Sequence, residues 1–261
     1  MDLQLDGARA FISGSTEGIG FAIARTLAEE GAAVVLNGRR AERVDAAVAL
    51  LREAVPRADV TGLAADLADA ARTRALVERL GRVDILVNNV GTFDVAPFAE
   101  VGDDEWARYI EVNLMSAVRL SRAVLGDMIA AGAGRILFVG TESAVDVPGD
   151  MIAYGATKAA ALALANGLSK LTKGTAVTVN TVLGGPTYSD GVARTIEHIA
   201  HAQGMPAEAL RDALVRDTSL AQRFLRPEEI ASLVAYLASP LASATNGAAL
   251  RADGGVLPTV L

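Results

Sequence analysis

Short apolar runs alternate along the chain with longer stretches whose apolar positions recur every three or four residues. The runs "ARAFIS", "AAVVLN", "ADVTGLAA", "DILVNN", "GRILFVG", "AVTVNTV" and "GAALRAD" predict strands. Several are apolar on consecutive positions, as strands covered on both faces are. The periodic stretches predict helices over roughly 18–30, 41–54, 69–80, 103–131, 152–173 and 227–238. This alternation predicts an α/β fold: a doubly wound sheet of about seven mostly parallel strands with helices on both faces. No linker, composition break or tandem repeat divides the chain, so one domain is expected over 1–261. One segment breaks the rhythm. After the strand ending near Val182, "LGGPTYSDGVARTIEHIAHAQGMPAEALRDALVRDTSLAQRF" has two weak helical patterns and no strand. A strandless insertion of that length, just past a strand's C-terminal end, predicts a substrate lid over about 186–224.

Composition narrows the function classes. Half of the 261 residues are apolar, enough for a sizeable core. No apolar run reaches membrane-spanning length, and "MDLQLDGARA" lacks the order of a secretion signal. A cytoplasmic protein without a membrane partner is expected. Cysteine is absent, which excludes disulfides, cysteine nucleophiles and thiolate metal sites. His198 and His201 are the only histidines, so no metal site is expected. The net charge of −7 with no basic run argues against nucleic acid. A small-molecule enzyme is the default.

The first strand leads into "SGSTEGIG", with Gly14, Gly18 and Gly20, and a helix follows at once. Such a turn lets a diphosphate approach the backbone at a helix N-terminus, although three glycines alone also suit a plain strand-to-helix turn. The second strand ends in "NGRR". Dinucleotide-binding βαβ units carry an acid there for NAD and an arginine for the NADP phosphate. Gly38 stands at the acid's place, followed by Arg39 and Arg40. NADP(H) is therefore favoured, with NAD(H) as the alternative. Glu17, inside the glycine turn, points the other way. In "YGATK", Tyr154 and Lys158 lie one helical turn apart on one face. They are either a proton-handling pair or two exposed residues of an Ala-rich helix.

Taken together, these motifs resemble the short-chain dehydrogenase/reductase family over nearly the whole chain. The resemblance rests on "SGSTEGIG", "NNVG" at 88–91, Asn113 in "EVNL", "YGATK", "VLGGPTYS" at 182–189 and "ADGG" at 252–255. It implies a single NAD(P)-binding, Rossmann-like domain and an oxidoreductase that interconverts a carbonyl and an alcohol by hydride transfer. It also implies a homodimer or homotetramer built through the long helices 103–131 and 152–173. By position, Gly14, Ser15, Thr16, Gly18, Ile19 and Gly20 would cradle the diphosphate and adjoining ribose. Arg39 would meet the NADP phosphate. Asp66 and Leu67 would flank the adenine, and Asn89, Val90 and Gly91 would line the middle of the cofactor. Gly185, Thr187 and Ser189 would hold the nicotinamide end.

For catalysis the resemblance implies Tyr154 as acid/base. Lys158 would lower its pKa and grip the ribose, and Asn113 would hold a relay water. The family's serine, thirteen residues before the tyrosine, is replaced by Thr141, which keeps a hydroxyl. Ser143, two residues on, is its rival for orienting the substrate oxygen. Gly184-Gly185 stands where the family usually has Pro-Gly, which predicts a more mobile lid entrance. Phe93, Pro148, Met151, Ile152 and Tyr188 fall near the expected substrate mouth, and Trp106 is expected in the core or at a subunit contact. Two other classes remain: a non-catalytic dinucleotide sensor that kept the fold, and an isomerase or lyase using the same tyrosine.

Overall fold

All seven apolar runs form strands in the computed structural model, which describes residues 2–260; Met1 and Leu261, the ends of the predicted domain, lie outside the described residues. The strands are β1 (Arg9–Ile12), β2 (Ala33–Gly38), β3 (Val60–Ala64), β4 (Ile85–Asn88), β5 (Ala133–Thr141), β6 (Ala176–Gly184) and β7 (Ala249–Ala252). They form one sheet in the order β3-β2-β1-β4-β5-β6-β7. Every pairing is parallel. The sheet is seven-stranded, parallel and doubly wound, as the alternation predicts.

The helices are α1 (Gly18–Glu29), α2 (Ala41–Ala54), α3 (Ala70–Leu80), α4 (Asp103–Ile110), α5 (Ser116–Ala131), α6 (Ile152–Ser169), α7 (Asp190–Gln203), α8 (Ala207–Ala213) and α9 (Pro227–Ala238). They cover both faces, which explains the continuous apolar runs. In β1, Ala10 and Ile12 face a layer built by α1, α2 and α9. Phe11, between them, faces the opposite layer with α3, α5 and α6. Alternate residues of one strand thus enter two cores, each fully buried large side chain contributing about 1.5–3 kcal/mol.

The stretch expected as one helix over 103–131 is interrupted. A π turn, Glu111–Met115, separates α4 from α5 and contains Asn113. Periodicity does not detect such a bulge, because apolar spacing continues through it; π bulges recur at functional sites. The 186–224 stretch carries α7 and α8. A single bridge between Thr187 and Leu225 closes its base.

Candidate active site

The strand order reverses between β1 and β4, so the loops leaving these strands diverge and open a crevice. Ser13 holds them together. Its Oγ accepts from the Asn89 and Val90 N–H groups at 2.8 and 3.1 Å. The Asn89 amide donates to the Ser13 and Gly14 carbonyls at 3.0 and 2.8 Å. Gly14 has φ +62°, and a Cβ there would lie 2.9 Å from a Val90 methyl. Gly20 permits a closer approach still, since its Cβ would meet the Gly14 carbonyl oxygen at 2.4 Å. These contacts shape a cleft of about 430 Å³ whose lining includes Gly14, Thr16, Arg39, Asp66, Leu67, Asn89, Val90 and Gly91.

Other predicted residues stand differently. Ser15 is turned inward: its Oγ donates to the Ile12 carbonyl and accepts from the Asn37 N–H, and its own N–H bonds to the Asn37 carbonyl. It braces the loop and does not line the cleft. Ile19 packs against the α1 core layer. Gly185 lies on the closing "ADGG" turn, where a Cβ would be 2.4 Å from the Asp253 carbonyl oxygen. The Thr187 hydroxyl donates to the Gly185 carbonyl at 2.8 Å. Ser189 approaches the glycine turn, its Cβ 3.3 Å from where a Gly18 Cβ would be.

The cleft suits a dinucleotide on physical grounds. Asp190, at the start of α7, accepts from the Gly18 N–H at 2.7 Å. A carboxylate thus stands in at the N-terminus of α1 for an anion such as a diphosphate. Arg39 is exposed at the cleft. Glu17, which from sequence opposed a phosphate, is offset by Arg43 at 3.1 Å and Arg194 at 2.7 Å. Sequence reasoning missed Asn37. Its amide donates to the Leu63 carbonyl and accepts from the Gly14 N–H, tying the glycine turn to β3. Its signal was a lone amide ending an otherwise apolar strand.

The second half of the site lies where β5 ends against α6. Gly155 allows this contact: a Cβ there would be 2.7 Å from the Ser143 carbonyl oxygen. The approach brings the Thr141 hydroxyl onto the Tyr154 phenol. Strand geometry stops at Thr141, and a tight turn follows over Glu142–Ala144. Thr141 and Ser143, two residues apart, therefore do not share the one face that a continuing strand would give them. The Ser143 hydroxyl instead donates to the Glu142 carboxylate at 3.1 Å.

The Tyr154 ring keeps a part-exposed edge against Phe93, with centroids 5.9 Å apart. Its surroundings nonetheless desolvate the phenol and push its pKa up to about 12, and the charges of Glu142 and Tyr109 add to this. Lys158 is buried, and burial pushes its pKa down to about 8. Its Nζ donates to the Val139 carbonyl at 3.0 Å. The lowering of Tyr154 by Lys158, expected from their spacing, is not among the influences on the phenol. Desolvation of both groups dominates. Lys158 reaches the cleft rim, its Nζ 3.2 Å from where a Gly91 Cβ would be. The Asn113 amide accepts from the Thr92 N–H and donates to the Thr92 carbonyl and the Thr157 hydroxyl.

Beside Tyr154 a mouth of about 260 Å³ opens between Val95, Phe98, Tyr109, Met151 and Ile152. Phe93 lies against the Tyr154 ring and Pro148 lines a neighbouring recess with Arg216, so neither lines this mouth. Tyr188 packs edge-on against Phe224 within the 186–224 stretch. Among the described residues no helix is long and apolar enough to cross a membrane, and no cluster of ligands could hold a metal. His198 and His201 are exposed on α7.

Comparison with known proteins agrees with this geometry. The family model described as short chain dehydrogenase matches residues 8–200. The Bacillus subtilis oxidoreductase YvrD is 45% identical, over 98% of this chain and 99% of its own. The oxidoreductase YvaG of the same organism is 43% identical, over 100% of both. The solved structure of L-sorbose reductase from Gluconobacter frateurii, complexed with NADPH and L-sorbose, is 32% identical and superposes with a TM-score of 0.95 over 100% of both chains. The chain belongs to the short-chain dehydrogenase/reductase family of oxidoreductases.

Proposed function

We propose that this oxidoreductase is NADP(H)-dependent and interconverts a ketone or aldehyde with the corresponding alcohol. The observation that carries the proposal is the meeting of Tyr154, Thr141 and Lys158 at the rim of the dinucleotide cleft. NADPH, when bound, supplies the hydride. Tyr154 donates its proton to the carbonyl oxygen as that oxygen gains charge. A phenol held near 12 carries its proton at neutral pH and so has one to give. Thr141 contacts that oxygen in preference to Ser143, because of the two hydroxyls, both bound to Glu142, it is Thr141 that lies against the Tyr154 phenol. Lys158 would hold the ribose hydroxyls. Gly14, Thr16, Gly18, Asp66, Leu67, Asn89 and Gly91 would hold the rest of the dinucleotide, with Gly185, Thr187 and Ser189 at the nicotinamide end. Asn113 supports a relay water near Lys158. A cavity of about 10 Å³ lies between Asn88, Asn113, Lys158 and Thr181, room for about one water. Asn88 Oδ1 and Thr181 Oγ1 are buried there without a partner among the described residues.

The 186–224 segment acts as the substrate lid of a single domain. A cytoplasmic location and a homodimer or homotetramer belong to the same reading. The outward face of α6 supports the assembly, because Ala156, Ala160, Ala163 and Gly167 are exposed and small enough to admit a second helix.

NADPH is favoured over NADH by Arg39, by the neutralised Glu17 and by the NADPH in the L-sorbose reductase structure. Replacing Arg39 by alanine is expected to lower kcat/KM for NADPH about 10-fold or more, the worth of a charge-assisted contact. The value for NADH should change little. Steady-state kinetics with both nucleotides check this, and equal losses for the two would assign Arg39 no part in the choice. The function itself is tested by following absorbance at 340 nm over sugar ketones, 3-oxoacyl thioesters, steroids and polyketide ketones, with NADH in parallel. NADPH oxidation with at least one class is expected. Nucleotide binding without turnover on any would favour the sensor.

A further inference from the structure

Glu142 stands between the two candidate hydroxyls, in the turn that ends β5, and the mechanism above gives it no part. It is only 3% exposed. Its Oε2 accepts from the Thr141 hydroxyl at 2.6 Å. Its Oε1 accepts from the Ser143 hydroxyl at 3.1 Å and lies 3.3 Å from Arg216 Nη2. Arg216 belongs to the 186–224 segment and lines the outer rim of the site with Asp146, Pro148 and Met151. A buried carboxylate is tolerated only where donors satisfy it, and three converge here.

We propose that Glu142 is a positioning residue of the reaction and that the lid residue Arg216 controls it. The pair fixes the direction of the Thr141 hydroxyl and sets the charge that faces Tyr154. The proposal rests on Tyr154 being the proton donor.

A hydroxyl has one proton. While Thr141 gives its proton to Glu142, its oxygen presents only lone pairs to the Tyr154 phenol. Thr141 can donate to a substrate oxygen only when Glu142 loosens its hold. Arg216 binds the same carboxylate, so it competes for the charge that holds Thr141. The position of the lid segment and the hydrogen-bond direction at Thr141 are thereby coupled.

Charge carries the second half. The carboxylate of Glu142 opposes ionisation of Tyr154, as does Tyr109 from α4. Asp94, Glu105 and Asp150 line the mouth beside Tyr154, and Arg108 is tied to the first two. Lys158 lies one turn along α6. Of the two arginines, only Arg216 meets Glu142.

The test is the pH–rate profile of alcohol oxidation by the holoenzyme, which rises as Tyr154 loses its proton. Removing the negative charge with Glu142→Gln should move the rising limb to lower pH by about one unit. Arg216→Met leaves the carboxylate unopposed and should move the limb to higher pH. The double variant should coincide with Glu142→Gln, because Arg216 acts only through that carboxylate. Glu142→Asp should restore much of the original position. An unchanged NADPH affinity by fluorescence titration shows each variant folded. If Glu142→Gln does not fold, the upward shift with Arg216→Met alone decides. Coincident limbs, or two shifts of the same sign, overturn the proposal. Should Tyr154→Phe retain turnover, it is the underlying assignment of the proton donor that fails.

Discussion

Tyr154→Phe is expected to lower kcat for carbonyl reduction by about a thousandfold or more, near the upper part of the range for a lost general acid. The substitution removes one oxygen and nothing else. The ring keeps its tilted contact with Phe93 at 5.9 Å, and α6 keeps its approach to the turn after β5. The dinucleotide cleft is lined by loops leaving β1 to β4, so NADPH affinity should change less than about twofold. Loss of kcat at constant nucleotide affinity is the signature of a group that acts in the transition state. The burial of the phenol should fall slightly in cost, because a desolvated hydroxyl is removed. Single-turnover kinetics with saturating NADPH provide the measurement. Turnover within tenfold of the parent would remove Tyr154 from the mechanism and leave Thr141 or a water as donor.

The fold was legible because two-sided burial writes itself as continuous apolar runs, and β1 shows why: Ala10, Phe11 and Ile12 enter two different cores. The glycine turn and "YGATK" were legible because their spacing is local. What escaped depends on contacts distant in sequence or on competing energies. Glu142 reads as an ordinary acid at a strand end until Arg216, 74 residues on, closes over it. Asp190 reads as a helix-start acid until the fold sets it on the Gly18 N–H. The π turn at Asn113 leaves the apolar period intact. The relation of Lys158 to Tyr154 was legible only in part, for another reason. Helical spacing states that two groups are near, but their pKa values follow from desolvation, which only the packed structure contains.

Lys158→Met should make the protein more stable at pH 7 while lowering its activity about a hundredfold. The two effects have one cause, a buried ammonium. Burial moves the Lys158 pKa from 10.5 to about 8, so folding disfavours the charged form. That shift corresponds to a folding cost of about 3 kcal/mol at neutral pH. The bond to the Val139 carbonyl, worth about 1 kcal/mol, is lost in the variant and offsets part of the gain. Methionine fills a similar volume without a charge. A net gain of about 1–2 kcal/mol remains, or roughly 3–6 °C in Tm for a chain of this length. The pH dependence identifies the source. Below pH 8 both folded and unfolded Lys158 carry the proton, and the full cost is present. Between about pH 8 and 10.5 the unfolded chain binds the proton and the folded chain does not, so parental stability rises with pH. The advantage of the variant should therefore shrink across that window. Tyr154 works in the opposite sense, since its raised pKa contributes stability that is complete below pH 10 and lost toward about 12. Melting curves of parent and variant without nucleotide, at pH 7, 8 and 9.5, would separate the two groups. A variant less stable than the parent at pH 7 would mean that the Val139 bond outweighs desolvation. A gain that persists unchanged at pH 9.5 would mean that packing and not charge produced it. The expected outcome ties the site to its energetics: the chain carries a charge inside its core, against its own stability, at the place where a ribose and a proton must be held.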